Sequence, residues 1–274
     1  LIIVTSEKLD SLLRHGITWM GSVGLVIADE IHLLNSPDRG PTLEIVLTRL
    51  REEYNPRIIG LSATISNYEE LAEWLDAVPV KSDFRPVILY SGIAYENQVV
   101  FHPEDGMMLS GDEPPLTELV KTTVEEGKQA LVFINTRRGA ESEAERLGKT
   151  IKNLLTEKDK KALSEISKKI LASLETKTRQ CERLSACIKL GTAFHHAGLT
   201  NSQRSLVEDA FRSGLIKVVC ATPTLAAGMN LPAYRVLIRD LKRFTSLYGM
   251  DYIPTLEIQQ MMGRAGRPKY DKTG

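Results

Sequence analysis

Val26-Ile27-Ala28-Asp29-Glu30-Ile31-His32 reads as an apolar strand whose C-terminal edge delivers two adjacent carboxylates. In open α/β sheets ligands bind beyond the C-terminal ends of the strands, so acids at that edge point to chemistry. Hydrolysing a nucleotide takes one acid to hold Mg²⁺, directly or through its water, and a second to orient or deprotonate the attacking water. Asp29 and Glu30 suit those tasks; the plainer alternative is an acidic strand-to-loop turn. Further along, a second apolar run at 57–61 ends in Ser62-Ala63-Thr64, small and hydroxyl-bearing residues at the edge where the carboxylates should lie. They can hydrogen-bond to the acidic motif and relay its state.

Working outward, short apolar runs alternate with amphipathic stretches along the whole chain, which predicts parallel sheets covered by helices on both faces. The predicted strands are 23–28, 57–61, 87–90, 130–134, 192–195, 217–221 and 235–238. Asn67 with Glu70, and Thr200 with Gln203, have the spacing of capping boxes that open helices. The second of these helices, at 200–213, places Leu206, Val207, Ala210 and Phe211 on one side. The stretch 77–86, with two prolines and Lys81-Ser82-Asp83, is the expected domain boundary and leaves about half a lobe before it. Residues 149–190 break the alternation and are expected to form a helical insertion. No repeat of solenoid period is present.

Composition narrows the class. The chain has 274 residues, 42% of them hydrophobic, enough for one large or two modest cores. No apolar run approaches the roughly 18 residues of a membrane span, and no leader-like segment opens the chain, so a cytoplasmic address, nuclear in a eukaryote, is expected. Three cysteines, Cys181, Cys187 and Cys220, lack metal-ligand spacing and read as reduced thiols. Formal charge is balanced at 35 basic and 35 acidic residues, but between Lys149 and Lys189 eleven Lys/Arg face five Asp/Glu. Such a run is either a solvated helix face or a phosphate contact.

The most specific signal is Gln260-Met261-Met262-Gly263-Arg264-Ala265-Gly266-Arg267. Arg264 and Arg267, three apart, are expected to share a helix face as arginine fingers, since guanidinium forks bind phosphate oxygens; the glycines are expected to admit a ligand closely. With Asp29-Glu30-Ile31-His32 and Ser62-Ala63-Thr64 in the same order, the chain closely resembles superfamily 2 helicases. Thr5-Ser6-Glu7-Lys8 is similar to motif Ib and Phe133-Ile134-Asn135-Thr136-Arg137-Arg138 to motif IV. Ala193-Phe194-His195-His196-Ala197-Gly198-Leu199 resembles the motif that follows, and Ala221-Thr222-Pro223-Thr224-Leu225-Ala226-Ala227-Gly228-Met229-Asn230-Leu231-Pro232 resembles motif V. Within superfamily 2 the pattern is that of the Ski-like branch, and in it of the archaeal helicases that migrate Holliday junctions and repair forks.

The resemblance implies two RecA-like lobes, the first at 1–82 and lacking its N-terminal half, the second at 83–274. It implies a 3′-to-5′ motor using ATP and Mg²⁺, with Asp29, Glu30, Gln260, Arg264 and Arg267 catalytic. Gly228 and Asn230 would join Asp29, Glu30, Arg264 and Arg267 around the nucleotide, and His32, Ser62, Ala63 and Thr64 would couple the lobes. Single-stranded or forked DNA would lie near Thr5, Ser6, Thr136, Arg137, Arg138, His196, Thr222 and Asn230. A strand-separating hairpin is implied at 236–252, where Lys242, Arg243, Phe244 and Tyr248 suit phosphate contact and base stacking, or alternatively pack the hairpin on its own lobe.

The departure is the phosphate loop. Such motors cradle phosphates with a Gly-rich loop ending Gly-Lys-Ser/Thr, and no such loop occurs in the chain. Gly148-Lys149-Thr150 is a decoy, because Glu143 stands where the first glycine should and the preceding residues are helical in pattern. The expectation is an excised, monomeric motor fragment, inactive alone, with the loop upstream and ring-completing domains downstream. The rivals are a Ski-like RNA helicase, which shares these motifs, and a non-catalytic nucleic-acid clamp, for which the acid and arginines would be superfluous.

Overall fold

The computed structural model describes the chain apart from residues 64, 83, 102–105, 175–177, 224–230, 246–248 and 268–270. The chain divides into two compact units, Leu1–Asp83 and Phe84–Gly274.

In the first unit, α1 (Ser6–Arg14), α2 (Gly40–Arg49) and α3 (Tyr68–Leu75) accompany two parallel strands, β1 (Leu25–Ala28) and β2 (Arg57–Gly60). Leu13, Met20, Ile31, Val46, Leu47 and Leu50 form its core. Gly40 opens α2 because a Cβ there would collide with the Leu34 carbonyl. Leu25, Ile27 and Ile59 lie exposed on the strands.

The second unit is built on a parallel sheet ordered β7-β8-β6-β9. Its strands are β6 (Ala130–Phe133), β7 (Thr192–His195), β8 (Val218–Ala221) and β9 (Arg235–Ile238). Every residue of β6, β7 and β8 is buried, the mark of a sheet covered on both faces. The covering helices are α4 (Pro115–Glu125), α5 (Arg137–Ile151), α6 (Glu157–Ala172), α7 (Arg179–Lys189), α8 (Asn201–Arg212) and α9 (Thr255–Met262).

Several expectations are corrected. Residues 87–90 form no strand: Ile88 makes one isolated bridge to Thr273, and only Val87 is buried there while Ile88 and Tyr90 face outward. An unanticipated antiparallel sheet, β3 (Gly92–Tyr95), β4 (Gln98–Phe101) and β5 (Gly106–Met108), follows instead. Residues 149–151 are the last turn of α5, so Gly148-Lys149-Thr150 is helical, with Gly148 packed on Leu190 and Thr192. The Thr200–Gln203 capping box is present. Asn67 makes no cap bond, its side-chain amide reaching Glu70 at 3.5 Å instead. The hairpin is not 236–252: β9 belongs to the parallel sheet beside β6, and the hairpin is β10 (Lys242–Thr245) with β11 (Gly249–Tyr252).

Candidate functional site

β1 ends at buried Ala28, and the chain turns outward to present Asp29 and Glu30, both exposed. The turn is sharp enough that Glu30 adopts a left-handed backbone, φ 54° and ψ 41°, a conformation that costs a non-glycine residue on the order of 1–2 kcal/mol. Backbone bonds from Leu61 to Ala28 and from Ile31 to Leu61, each 2.9 Å, tie this turn to the end of β2. The next residue but one, His32, is buried and joins the two motifs. The Ala63 N–H donates to its Nδ1 at 3.3 Å, with Ser62 Oγ at 3.4 Å from the same nitrogen. A neutral ring that accepts at Nδ1 carries its proton on Nε2, and Nε2 donates to Glu30 Oε2 at 3.0 Å. Glu30, His32, Ser62 and Ala63 are thus brought together; Thr64 lies outside the described residues. Asp29 Oδ1 accepts from the Glu30 N–H at 2.9 Å. Elsewhere in this unit, Thr5 is the N-cap of α1, accepting from Lys8 N at 3.2 Å, with Ser6 the first helical residue.

In the second unit the arginine motif does not lie on a helix face. α9 stops at Met262 and Gly263 caps it; Ala265 bridges to Ala233, and Gly266 turns at φ 82°. Arg264 and Arg267 therefore stand in the segment after the helix, whereas Gln260 is a half-buried residue on it. Gly266 admits no ligand: a Cβ there would lie 2.5 Å from Val87 Cγ1, so its bareness serves packing. Arg267 is engaged within its own unit, donating from Nε and Nη2 to Asp271 and from Nη1 to Gln129 Oε1 at 2.9 Å. Burial works against the Asp271 carboxylate, but Arg267 and Lys128 outweigh it and hold the group below its usual range. A finger role for Arg267 would require opening that pair. Gly228 and Asn230 lie outside the described residues.

The sheet's C-terminal edge collects the remaining motifs. Thr136 caps α5, accepting from Gly139 N at 3.0 Å, and leaves Arg137 and Arg138 exposed in the first turn. His196 is not the surface residue expected: its ring is wholly enclosed, stacked on Phe194 with centroids 5.4 Å apart. Gly198 N donates to its Nδ1 at 3.1 Å and its Nε2 lies 3.2 Å from Glu141 Oε1. Burial lowers its pKa, as it does for His195. Thr222 is likewise buried. On the hairpin, Arg243 is committed to Glu257 of α9 by two bonds of 2.7 and 2.8 Å, and Lys242 Nζ lies 4.5 Å from the Tyr252 ring centre. Phe244 is 75% exposed, so it does not pack the hairpin down. Tyr248 lies outside the described residues. All three cysteines are buried; burial pushes the Cys187 thiol up to about 12 and Cys220 well above the ordinary thiol.

Two family models match the chain: the DEAD/DEAH box helicase domain over residues 1–71 and the helicase conserved C-terminal domain over 148–269. Both units are thus similar in part to helicase domains. It is 47% identical over its whole length to the ATP-dependent DNA helicase Hel308 of Methanocella arvoryzae. It is 51% identical to that of Pyrococcus horikoshii and 52% to that of Pyrococcus abyssi, again over its whole length. The chain spans about 37% of the length of each of these relatives.

Some residues of these helicase domains were invisible in the sequence. Arg179 and Gln180 open α7 and, with Arg137, Arg138, Glu141, Ser142, Arg183 and Gly198, line an open groove of about 680 Å³. The basic surplus around Arg179 was legible, but a charge run does not say which of its members converge. Glu257 and Asp271 gave no signal, since their importance lies in the arginines they meet.

Proposed function

We infer that the chain is motor-core sequence of an ATP-dependent DNA helicase that moves 3′ to 5′ on one strand in fork repair and recombination. The observation that carries this reading is the His32 bridge. A carboxylate held at 3.0 Å by a histidine, itself anchored on the Ser62-Ala63 segment, is an acid in a fixed pose whose state a second segment can sense. Glu30 would then orient a water for attack on the γ-phosphate, and Asp29 would hold Mg²⁺, which supplies positive charge for the phosphate oxygens. The donors fit a hard cation: Asp29 is an exposed carboxylate with Oδ1 used by one backbone N–H and Oδ2 open. Among the described residues no group of three or more His, Cys, Asp or Glu is poised to hold a metal alone. A Mg²⁺ here would complete its shell with phosphate oxygens and water, as that ion commonly does. Arg264 is proposed as a contact for a phosphate oxygen, and the exposed Phe244 of the hairpin as a contact for a base. Among the described residues no helix is long and apolar enough to cross a membrane.

Because no Gly-x-x-x-x-Gly-Lys-Ser/Thr loop occurs in these residues, the 274-residue chain alone is expected to release phosphate from ATP only at background rate. In a longer protein that includes this chain and such a loop, single-stranded DNA is expected to stimulate turnover more than RNA does. Glu30→Gln is expected to lower its kcat by about 10²- to 10⁴-fold with little change in ATP binding. Phosphate release with each polynucleotide is the measurement. Unimpaired turnover of Glu30→Gln would overturn the assignment, and turnover by the chain alone would overturn its dependence on a phosphate loop.

A further inference from the structure

The groove at the start of α5 and α7 is not explained by the fold. Four arginines line it against one glutamate. Arg183 is neutralised, paired with Glu141 and with Glu145, the latter at 2.6 Å. Arg137, Arg138 and Arg179 are exposed and, among the described residues, have no carboxylate within ion-pair distance. Their placement opposes the helix dipoles. A helix N-terminus favours acids, yet the first turn of α5 holds two arginines and no acid, and Arg179 opens α7, whose first turn carries a single acid, Glu182. Like charges gathered at the positive ends of two helices repel one another unless an anion lies among them. Glu141 is in turn occupied by Arg183, His196 and Gln180, so the groove's own acid is not available for that purpose.

We propose that this groove is a binding site for the sugar-phosphate backbone of a single nucleic-acid strand, with Arg179 of α7 as a phosphate contact beside Arg137 and Arg138. The lining selects backbone over bases. It consists of arginine, glutamate, glutamine, serine and glycine, with no aromatic ring on which a base could stack. Ser142 adds a donor suited to phosphate oxygens, while the Gln180 amide is held by Glu141, and Gly198 keeps the wall low, since a Cβ there would lie 3.0 Å from the His196 ring and 3.4 Å from Gln180. Binding here is therefore indifferent to base identity. It extends the strand's path beyond the motif IV residues onto a helix that none of the helicase motifs includes, and it rests on the nucleic-acid reading above.

The test is fluorescence anisotropy of labelled oligo(dT), oligo(dA) and an abasic oligonucleotide of equal length, titrated with the chain across a salt series. Arg179→Gln is compared with Lys168→Gln, an exposed lysine of α6 paired with Glu165. One phosphate contact contributes ~0.7 log units of affinity per log unit of salt, so Arg179→Gln is expected to flatten the log–log slope by ~0.7. Affinity at 0.1 M salt should fall about fivefold relative to the high-salt limit, equally for all three oligonucleotides. Lys168→Gln should change neither. If Arg137→Gln flattens the slope and Arg179→Gln does not, the groove proposal fails while the nucleic-acid reading stands. If unaltered protein binds no oligonucleotide, that reading fails first. Competition by inorganic pyrophosphate that disappears in Arg179→Gln, with oligonucleotide binding unchanged, would assign the groove to a small phosphorylated ligand and overturn the proposal.

Discussion

Gly266 and His32 show how differently single residues declare themselves. Gly266 stands in a motif whose glycines suggest room for a ligand, but its φ of 82° and the Val87 methyl 2.5 Å from a would-be Cβ make it a packing requirement. Gly266→Ala is therefore expected to cost about 1–3 kcal/mol of stability in the second unit. Adding Val87→Ala should restore part of that, because it relieves the clash and not the dihedral. A thermal or denaturant midpoint unchanged in Gly266→Ala would refute this. For His32 the sequence suggested coupling, but the arrangement, one nitrogen to Ala63 and the other to Glu30, depends on β1 and β2 lying side by side. His196 went the other way: a histidine in a polar motif looked like a strand contact, and burial beneath Glu141 makes it a support for the groove.

Elements were legible where local chemistry sufficed. Thr200 and Gln203 close a capping box on α8, each satisfying a backbone N–H of the other's residue. Thr200→Ala is expected to destabilise the second unit by about 1 kcal/mol, while Asn67→Ala, which removes no cap bond, should have a far smaller effect in the first. Equal losses from chemical denaturation would contradict that distinction. The β3–β4 hairpin escaped notice because its turn is Glu96-Asn97, with Glu96 at φ 49°, and not an Asn-Gly or Asp-Gly pair. The second hairpin was displaced for a related reason: the apolar run 235–238 reads equally as a hairpin strand or a buried parallel one. Pairing with β6 chooses the latter.

At the scale of the molecule, the second unit carries a pH dependence that no single motif announces. Burial lowers the pKa of His195 and His196, so the folded state resists protons that the unfolded chain accepts at about 6.5. Their contribution is fully present above pH 6.5 and declines as pH falls below it toward the depressed folded values. Asp271, held below its usual range, adds a loss only at far lower pH, beneath the ordinary carboxylate value of about 3.9. The melting temperature should thus fall between pH 7 and 5, and His196→Gln should flatten that slope; an identical slope in the variant would refute the assignment. What the sequence determined by itself was the α/β class, the strands near 130–134, 192–195 and 217–221, and the acid and arginine motifs, all set by periodicity and residue chemistry over short spans. Tertiary structure alone decided which charges are spent and which are left. Arg267, Arg243 and Arg183 found carboxylates distant along the chain or across a turn, whereas Arg137, Arg138 and Arg179 have none within ion-pair distance among the described residues. The physical reason is that pairing falls off over a few ångströms, a distance that sequence spacing does not encode.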